Sequence, residues 1–180
     1  MPKKEGLVHI YFGDGRGKTT SAIGLGLRAC GQGMRVCIVQ FFKGGLESGE
    51  IKLLNKLRGR VKIYRFGQVH PIFLKCKGRL PREELKESLK SSFNFTRKIL
   101  SSQKYDMVIL DEILNAVSEN FLDVKKLKEL INARNPYTEV VLTGRRCPKI
   151  ILKEASYITH MRCIKHPYQK GKKARRGIEF

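Results

Sequence analysis

Short apolar runs bounded by glycine, proline or charge recur along the chain, separated by stretches with helical spacing. Leu7 to Phe12 is rich in β-formers and reads as a buried strand. Ser21 to Cys30 carries Ala22, Ile23, Leu25, Leu27 and Ala29 without a proline, the pattern of a helix that Gly31-Gln32-Gly33 ends. Val36 to Phe42 is a second buried strand, closed by Lys43-Gly44-Gly45, and Ser48 to Leu57 a short amphipathic helix. Val61 to Phe66 alternates apolar and basic residues, as expected of a strand with one less-buried side. Gly67 to Pro81 has no period and predicts a loop over the ligand-bearing edge. From Pro81, apolar residues at Leu85, Leu89, Phe93, Ile99 and Leu100 mark a long helix to Ser101. Tyr105 to Leu110 is a fourth strand. Asp123 caps a helix whose Val124, Leu127, Leu130 and Ile131 face inward, stopped by Asn135-Pro136. Glu139 to Leu142 is a fifth strand, Pro148 to Ala155 a short helix, and Tyr157 to Ile164 the last strand.

Strands alternating with helices predict an α/β protein of three layers: a mostly parallel sheet with helices on both faces, joined by right-handed crossovers. The 180 residues suit one domain, 1–180, with 165–180 as a basic tail. In such sheets ligands bind at the carboxyl ends of the strands. Lys43, Asp111-Glu112 and Thr143-Gly144-Arg145 all fall there, together with the turn after the first strand.

That turn is Gly13-Asp14-Gly15-Arg16-Gly17-Lys18-Thr19-Thr20. A strand, a glycine-rich turn, Gly-Lys-Thr and a helix make a phosphate-binding loop. Glycines allow backbone N–H groups to converge on one anion, and the helix start adds free donors and its positive dipole end. Lys18 would reach the phosphate chain and a threonine hydroxyl would ligate Mg²⁺. The common form, G-x-x-x-x-G-K-[ST], has glycine where this chain has Phe12, so the loop beginning at Gly13 is one residue shorter. Met107 to Leu110 ends in Asp111-Glu112, either of which could hold Mg²⁺ directly or through water opposite Thr19. Arg145 either reaches phosphate or is exposed, and Arg28, about three turns into the first helix, is as well suited to solvent as to ligand. His9, on a buried strand, reads as a satisfied core histidine, and nothing marks His166 as a base. No Ser-His-Asp or Cys-His arrangement offers a protein nucleophile.

Composition narrows the setting. Five cysteines without a CxxC pair argue against a disulfide framework or zinc site and for a reducing cytoplasm, and no apolar run is long enough to span a membrane. Lys and Arg number 37 against 16 Asp and Glu, a formal charge of +21, which makes nucleic acid the first polyanion to consider. No helix-turn-helix, zinc-finger or RNP-type signature accompanies that charge. Six basic residues lie between Lys165 and Arg176.

The segments Phe12 to Thr20, Val39-Gln40-Phe41-Phe42-Lys43-Gly44, Leu110-Asp111-Glu112 and Leu142-Thr143-Gly144-Arg145 occur in that order. The ending Lys165-His166-Pro167-Tyr168, Gly171, Ala174, Gly177-Ile178-Glu179-Phe180 follows them. Together they resemble the phosphate-loop ATP:corrinoid adenosyltransferases over nearly the whole chain. The resemblance implies transfer of the 5′-deoxyadenosyl group of MgATP (or MnATP) to a Co(I) corrinoid in adenosylcobalamin formation, with release of triphosphate. It also implies a RecA-like P-loop NTPase sheet, a homodimer and a flavoprotein reductant, with no membrane or nucleic-acid partner. By the same resemblance Gly13, Asp14, Gly15, Arg16, Gly17, Lys18, Thr19 and Thr20 hold the nucleotide, with Asp14 and Thr20 near the ribose. Thr19 and Glu112 hold the metal, Lys18 and Glu112 are catalytic, and Arg28 approaches the nucleotide. Relatives carry a Phe-x-Trp near the end of the third strand. This chain has no Trp, and Phe66, Ile72 or Phe73 stand nearest that place. The alternatives are a nucleic-acid-binding P-loop ATPase, favoured by the charge, and a small-molecule kinase using the same loop.

Overall fold

A computed structural model describes residues 4–43, 48–56, 59–67 and 82–179. Six strands, β1 (Val8–Phe12), β2 (Val36–Gln40), β3 (Val61–Arg65), β4 (Met107–Asp111), β5 (Glu139–Gly144) and β6 (Tyr157–His160), form one sheet. Their order is β3-β2-β4-β5-β1-β6, and every neighbouring pair is parallel. The helices are α1 (Lys18–Gly31), α2 (Gly49–Leu54), α3 (Arg82–Ser101), α4 (Ile113–Ser118), α5 (Val124–Asn132) and α6 (Lys149–Leu152).

Because side chains alternate across a strand, each apolar run serves two cores. Val36, Ile38, Ile109 and Val141 pack with Ala22, Ile23 and Ala29 of α1 and Ile51 and Leu54 of α2. Val39, Leu110, Val140 and Leu142 face the other way, onto Leu89 and Leu100 of α3, Leu127 and Ile131 of α5, and Ile151 of α6. The expected three layers are therefore present.

Several boundaries differ from expectation for local reasons. α1 starts at Lys18 rather than Ser21, so Lys18, Thr19 and Thr20 form its first turn. β2 stops at Gln40, because Phe42 takes a left-handed backbone (φ 58°) that turns the chain while both Phe41 and Phe42 stay buried. α4 was not anticipated: it is six residues long and buried on most sides, so it shows no polar face to read. β6 ends at His160 instead of Ile164, since the segment after it turns against the loop following β1. Asp123 caps α5 as expected, accepting from the N–H of Lys125. Apart from Gly67, the expected loop from Gly67 to Pro81, with Ile72 and Phe73, lies outside the described residues, as do Leu57 and Phe180.

Candidate nucleotide and metal site

The loop after β1 is braced against the exit of β6. Gly15 N–H donates to Met161 O at 2.8 Å, and the Asp14 carboxylate accepts from the N–H of Cys163 at 3.1 Å. That bond holds the Asp14 carboxyl below its usual range. Phe12 stacks on His160 with centroids 4.6 Å apart. Glycine is required at two points: a Cβ on Gly13 (φ +122°) would lie 2.2 Å from Met161 O, and one on Gly15 would lie 2.8 Å from Arg162 O. The Lys18 ammonium folds back to donate to Gly15 O. Burial, then the charge of Arg145, lowers the Lys18 pKa.

Asp111 closes β4 with no exposed surface, and its carboxylate organises the next layer. Oδ1 accepts from the Thr19 hydroxyl at 2.8 Å and the Thr143 hydroxyl at 2.7 Å, while Oδ2 accepts from Gln40 Nε2 at 3.0 Å. Thr143 Oγ1 in turn accepts from Glu112 N–H at 2.8 Å, so one hydroxyl ties both carboxylate residues to β5. Glu112 is left-handed (φ 65°), and its carboxylate pairs with Lys43 Nζ at 3.0 Å. Burial alone would lower the Lys43 pKa, but Glu112 and Asp111 outweigh it and the net shift is upward.

Thr19, Gln40 and Lys43 line a cleft of about 560 Å³ with Arg16, Lys18, Thr20, Arg65, Ile178 and Glu179. A smaller cavity of about 140 Å³ joins Lys18, Thr19, Glu112, Thr143 and Arg145. The tail reaches the same place: Arg16 donates to Ile178 O at 2.8 Å and pairs with Glu179 at 3.3 Å, and Glu179 also holds Arg175 at 3.2 Å. Upstream, His166 caps the short 3-10 turn Pro167–Lys170, its Nδ1 accepting from Tyr168 N–H.

The chemistry of the donor set suits Mg²⁺ or Mn²⁺. Thr19 and Glu112 offer hard oxygens beside a buried carboxylate, and Mg²⁺ commonly uses one or two carboxylates with phosphate oxygens rather than an all-protein cage. No group of three His, Cys, Asp or Glu able to hold an ion occurs among the described residues.

The sequence-predicted residues Gly13 to Thr20, Asp111 and Glu112 come together here. Arg28 does not: it is exposed in the last turn of α1, ten residues beyond Lys18, or about 15 Å along the helix axis. His9 is satisfied as expected, 3.0 Å from Glu139 and stacked on Tyr157. Sequence reasoning missed Gln40 as a partner of Asp111 and Glu179 as a wall of the cleft. For Gln40 the available signal was a lone amide ending an otherwise apolar strand.

Comparison with known proteins bears on what occupies such a cleft. A family model described as ATP:corrinoid adenosyltransferase BtuR/CobO/CobP matches residues 4–180. The corrinoid adenosyltransferase of Escherichia coli K12 is 30% identical over 177 residues, covering 98% of this chain and 87% of that protein. One from a Sinorhizobium species is 31% identical over 179 residues, covering 98% and 81%. Among solved structures, a KaiC-like protein of Pyrococcus horikoshii OT3 superposes with a TM-score of 0.56 at 15% identity, covering 90% of this chain and 75% of that one. The RadB recombinase gives 0.53 at 12%, covering 91% and 77%. These two likenesses establish a RecA- and KaiC-like fold and nothing more.

Proposed function

The chain belongs to the ATP:corrinoid adenosyltransferase family, and from that membership we propose how its cleft does the work. The enzyme transfers the adenosyl group of ATP to a corrinoid. In our reading the loop from Gly13 to Thr20 cradles the triphosphate, with Arg16 and Lys18 supplying charge and Asp14 and Thr20 flanking the ribose. Thr19 and Glu112 would hold Mg²⁺ or Mn²⁺, the Thr19 hydroxyl donating its hydrogen bond to Asp111 and keeping its oxygen lone pairs for the ion. Bound there, the ion neutralises charge on the departing polyphosphate.

The reacting pair comes from the substrates. The electron pair of Co(I) forms the bond to C5′, the C5′–O bond breaks, and its electrons leave on triphosphate. No proton moves, so the protein's tasks are alignment, exclusion of water and charge compensation. The observation that carries this reading is the engagement of both carboxylates. Asp111 already accepts three hydrogen bonds, and Glu112 is paired with Lys43. Neither is poised to deprotonate an acceptor, as in-line transfer of a γ-phosphoryl group would ask.

The decisive experiment is ³¹P NMR of a turnover mixture with MgATP and chemically reduced corrinoid. Triphosphate should match the adenosylated corrinoid mole for mole; stoichiometric ADP or orthophosphate overturns the proposal. A cytoplasmic homodimer supplied with electrons by a flavoprotein completes the proposal on family membership alone. No helix among the described residues is long and apolar enough to cross a membrane.

A further inference from the structure

Gln40 is 2% exposed at the end of β2, directly across from Asp111 in the β2–β4 register. Its amide is oriented by the bond from Nε2 to Asp111 Oδ2, which turns Oε1 away from the carboxylate. That oxygen is buried and has no hydrogen-bond partner among the described residues. Burying an acceptor without a donor is costly, and native proteins rarely do so without a use for it.

Two donors beside Asp111 are already in use, and Arg65, across from Gln40 in the β2–β3 register, lines the same cleft without bonding to Oε1. Thr19 and Thr143 give their hydrogens to Asp111, and Lys43 pairs with Glu112. The side chain lines the cleft beside Thr19 and Lys43, so what the cleft binds is placed to supply the missing donor. Phosphate oxygens only accept. The donor nearest a carboxylate and a threonine hydroxyl in a divalent-cation site is water on the cation, which Mg²⁺ keeps in preference to full dehydration.

We infer that Gln40 is a positioning residue for the metal. Its Oε1 accepts a hydrogen from a cation-bound water, while its Nε2 keeps Asp111 aimed at Thr19. The inference rests on the metal reading given above. Groups around a metal that fix its ligands and waters typically govern affinity by 10–100-fold.

The test measures Mn²⁺ binding to the enzyme–ATP complex by electron paramagnetic resonance, in the unaltered protein and in Gln40→Leu, Gln40→Glu and Glu112→Gln. Gln40→Leu should raise the Mn²⁺ Kd about tenfold. Gln40→Glu keeps an acceptor in place but loses the bond to Asp111, so it should weaken Mn²⁺ less than Gln40→Leu, whereas a role confined to the Nε2–Asp111 bond predicts equal loss in both. ATP affinity in EDTA should be the same for Gln40→Leu and the unaltered protein. Unchanged Mn²⁺ affinity in Gln40→Leu, equal loss in Gln40→Glu, or lost ATP affinity in EDTA each overturns the inference. Loss in Glu112→Gln without loss in Gln40→Leu defeats it while sparing the metal reading. No loss in Glu112→Gln defeats that reading itself. Gln40→Met, which keeps the side chain's length, replaces Gln40→Leu should the latter not fold.

Discussion

Replacing Thr143 with valine removes one hydroxyl and little volume, yet the residue is 1% exposed and its hydroxyl serves both carboxylate residues. It donates to Asp111 Oδ1 at 2.7 Å and accepts from Glu112 N–H at 2.8 Å. A hydrogen bond to a charged group contributes about 1.5–3 kcal/mol, and a buried N–H left unpaired costs roughly 1–3 kcal/mol. After partial relaxation the net loss should be about 2–4 kcal/mol, a large share of the 5–15 kcal/mol typical of a folded domain. For a chain of this length each kcal/mol lowers Tm by about 2–4 °C, so the melting point should fall by about 4–16 °C. Thr143→Ser keeps both bonds and loses one methyl, a change of about 1 kcal/mol. Urea unfolding of both variants measures the difference, and formation of the cobalt–carbon bond, followed by absorbance against Mg²⁺ concentration, reports on the site. The valine variant should also need about tenfold more Mg²⁺. If valine and serine variants match in stability and Mg²⁺ demand, the hydroxyl does not organise the carboxylates and the reasoning fails.

Lys18→Ala should lower turnover by roughly 10- to 150-fold with an unchanged circular-dichroism spectrum, since it removes a charge-assisted phosphate contact of about 1.5–3 kcal/mol and little packing; retained rate at saturating ATP refutes this. Because burial and then Arg145 lower the Lys18 pKa, the free enzyme loses that proton earlier than an ordinary lysine as pH rises. kcat/KM for ATP should therefore begin to fall, as pH rises, earlier than an ordinary lysine would dictate, and Arg145→Ala should move that alkaline limb upward; an unmoved limb counts against the coupling. Glu179→Ala frees Arg16 and Arg175 together, so trypsin should cut the tail faster after Lys172 and Arg175 in the nucleotide-free enzyme. Unchanged digestion would mean that the tail is held by something else.

Elements with a strong local pattern were legible in the sequence. The apolar centres of all six strands, the long α3 and the Asp123 cap needed only periodicity and one side-chain oxygen. The phosphate loop was legible because its glycines and lysine lie in one stretch. What escaped depends on contacts between distant strands. That Gln40, Asp111 and Thr143 share one carboxylate follows from β4 lying between β2 and β5, an order that no local signal encodes. Arg28 shows the converse: its place in a family motif brought it to attention, but the rigid rise of α1 carries it away from the loop. The end of β6 was misjudged because Met161 to Cys163 are recruited by backbone bonds to the loop after β1 and not by their own pattern.

The embrace between that loop and the exit of β6 limits how this scaffold could be re-engineered. With Gly13 and Gly15 seated on the carbonyls of Met161 and Arg162, the loop is moulded against a fixed wall. Grafting in a loop of ordinary length would push an additional residue into that wall, however well the graft suited its own strand and helix. A viable chimera has to exchange residues 161–163 along with residues 13–17. The two segments, nearly 150 positions apart in the chain, behave as a single transplantable part.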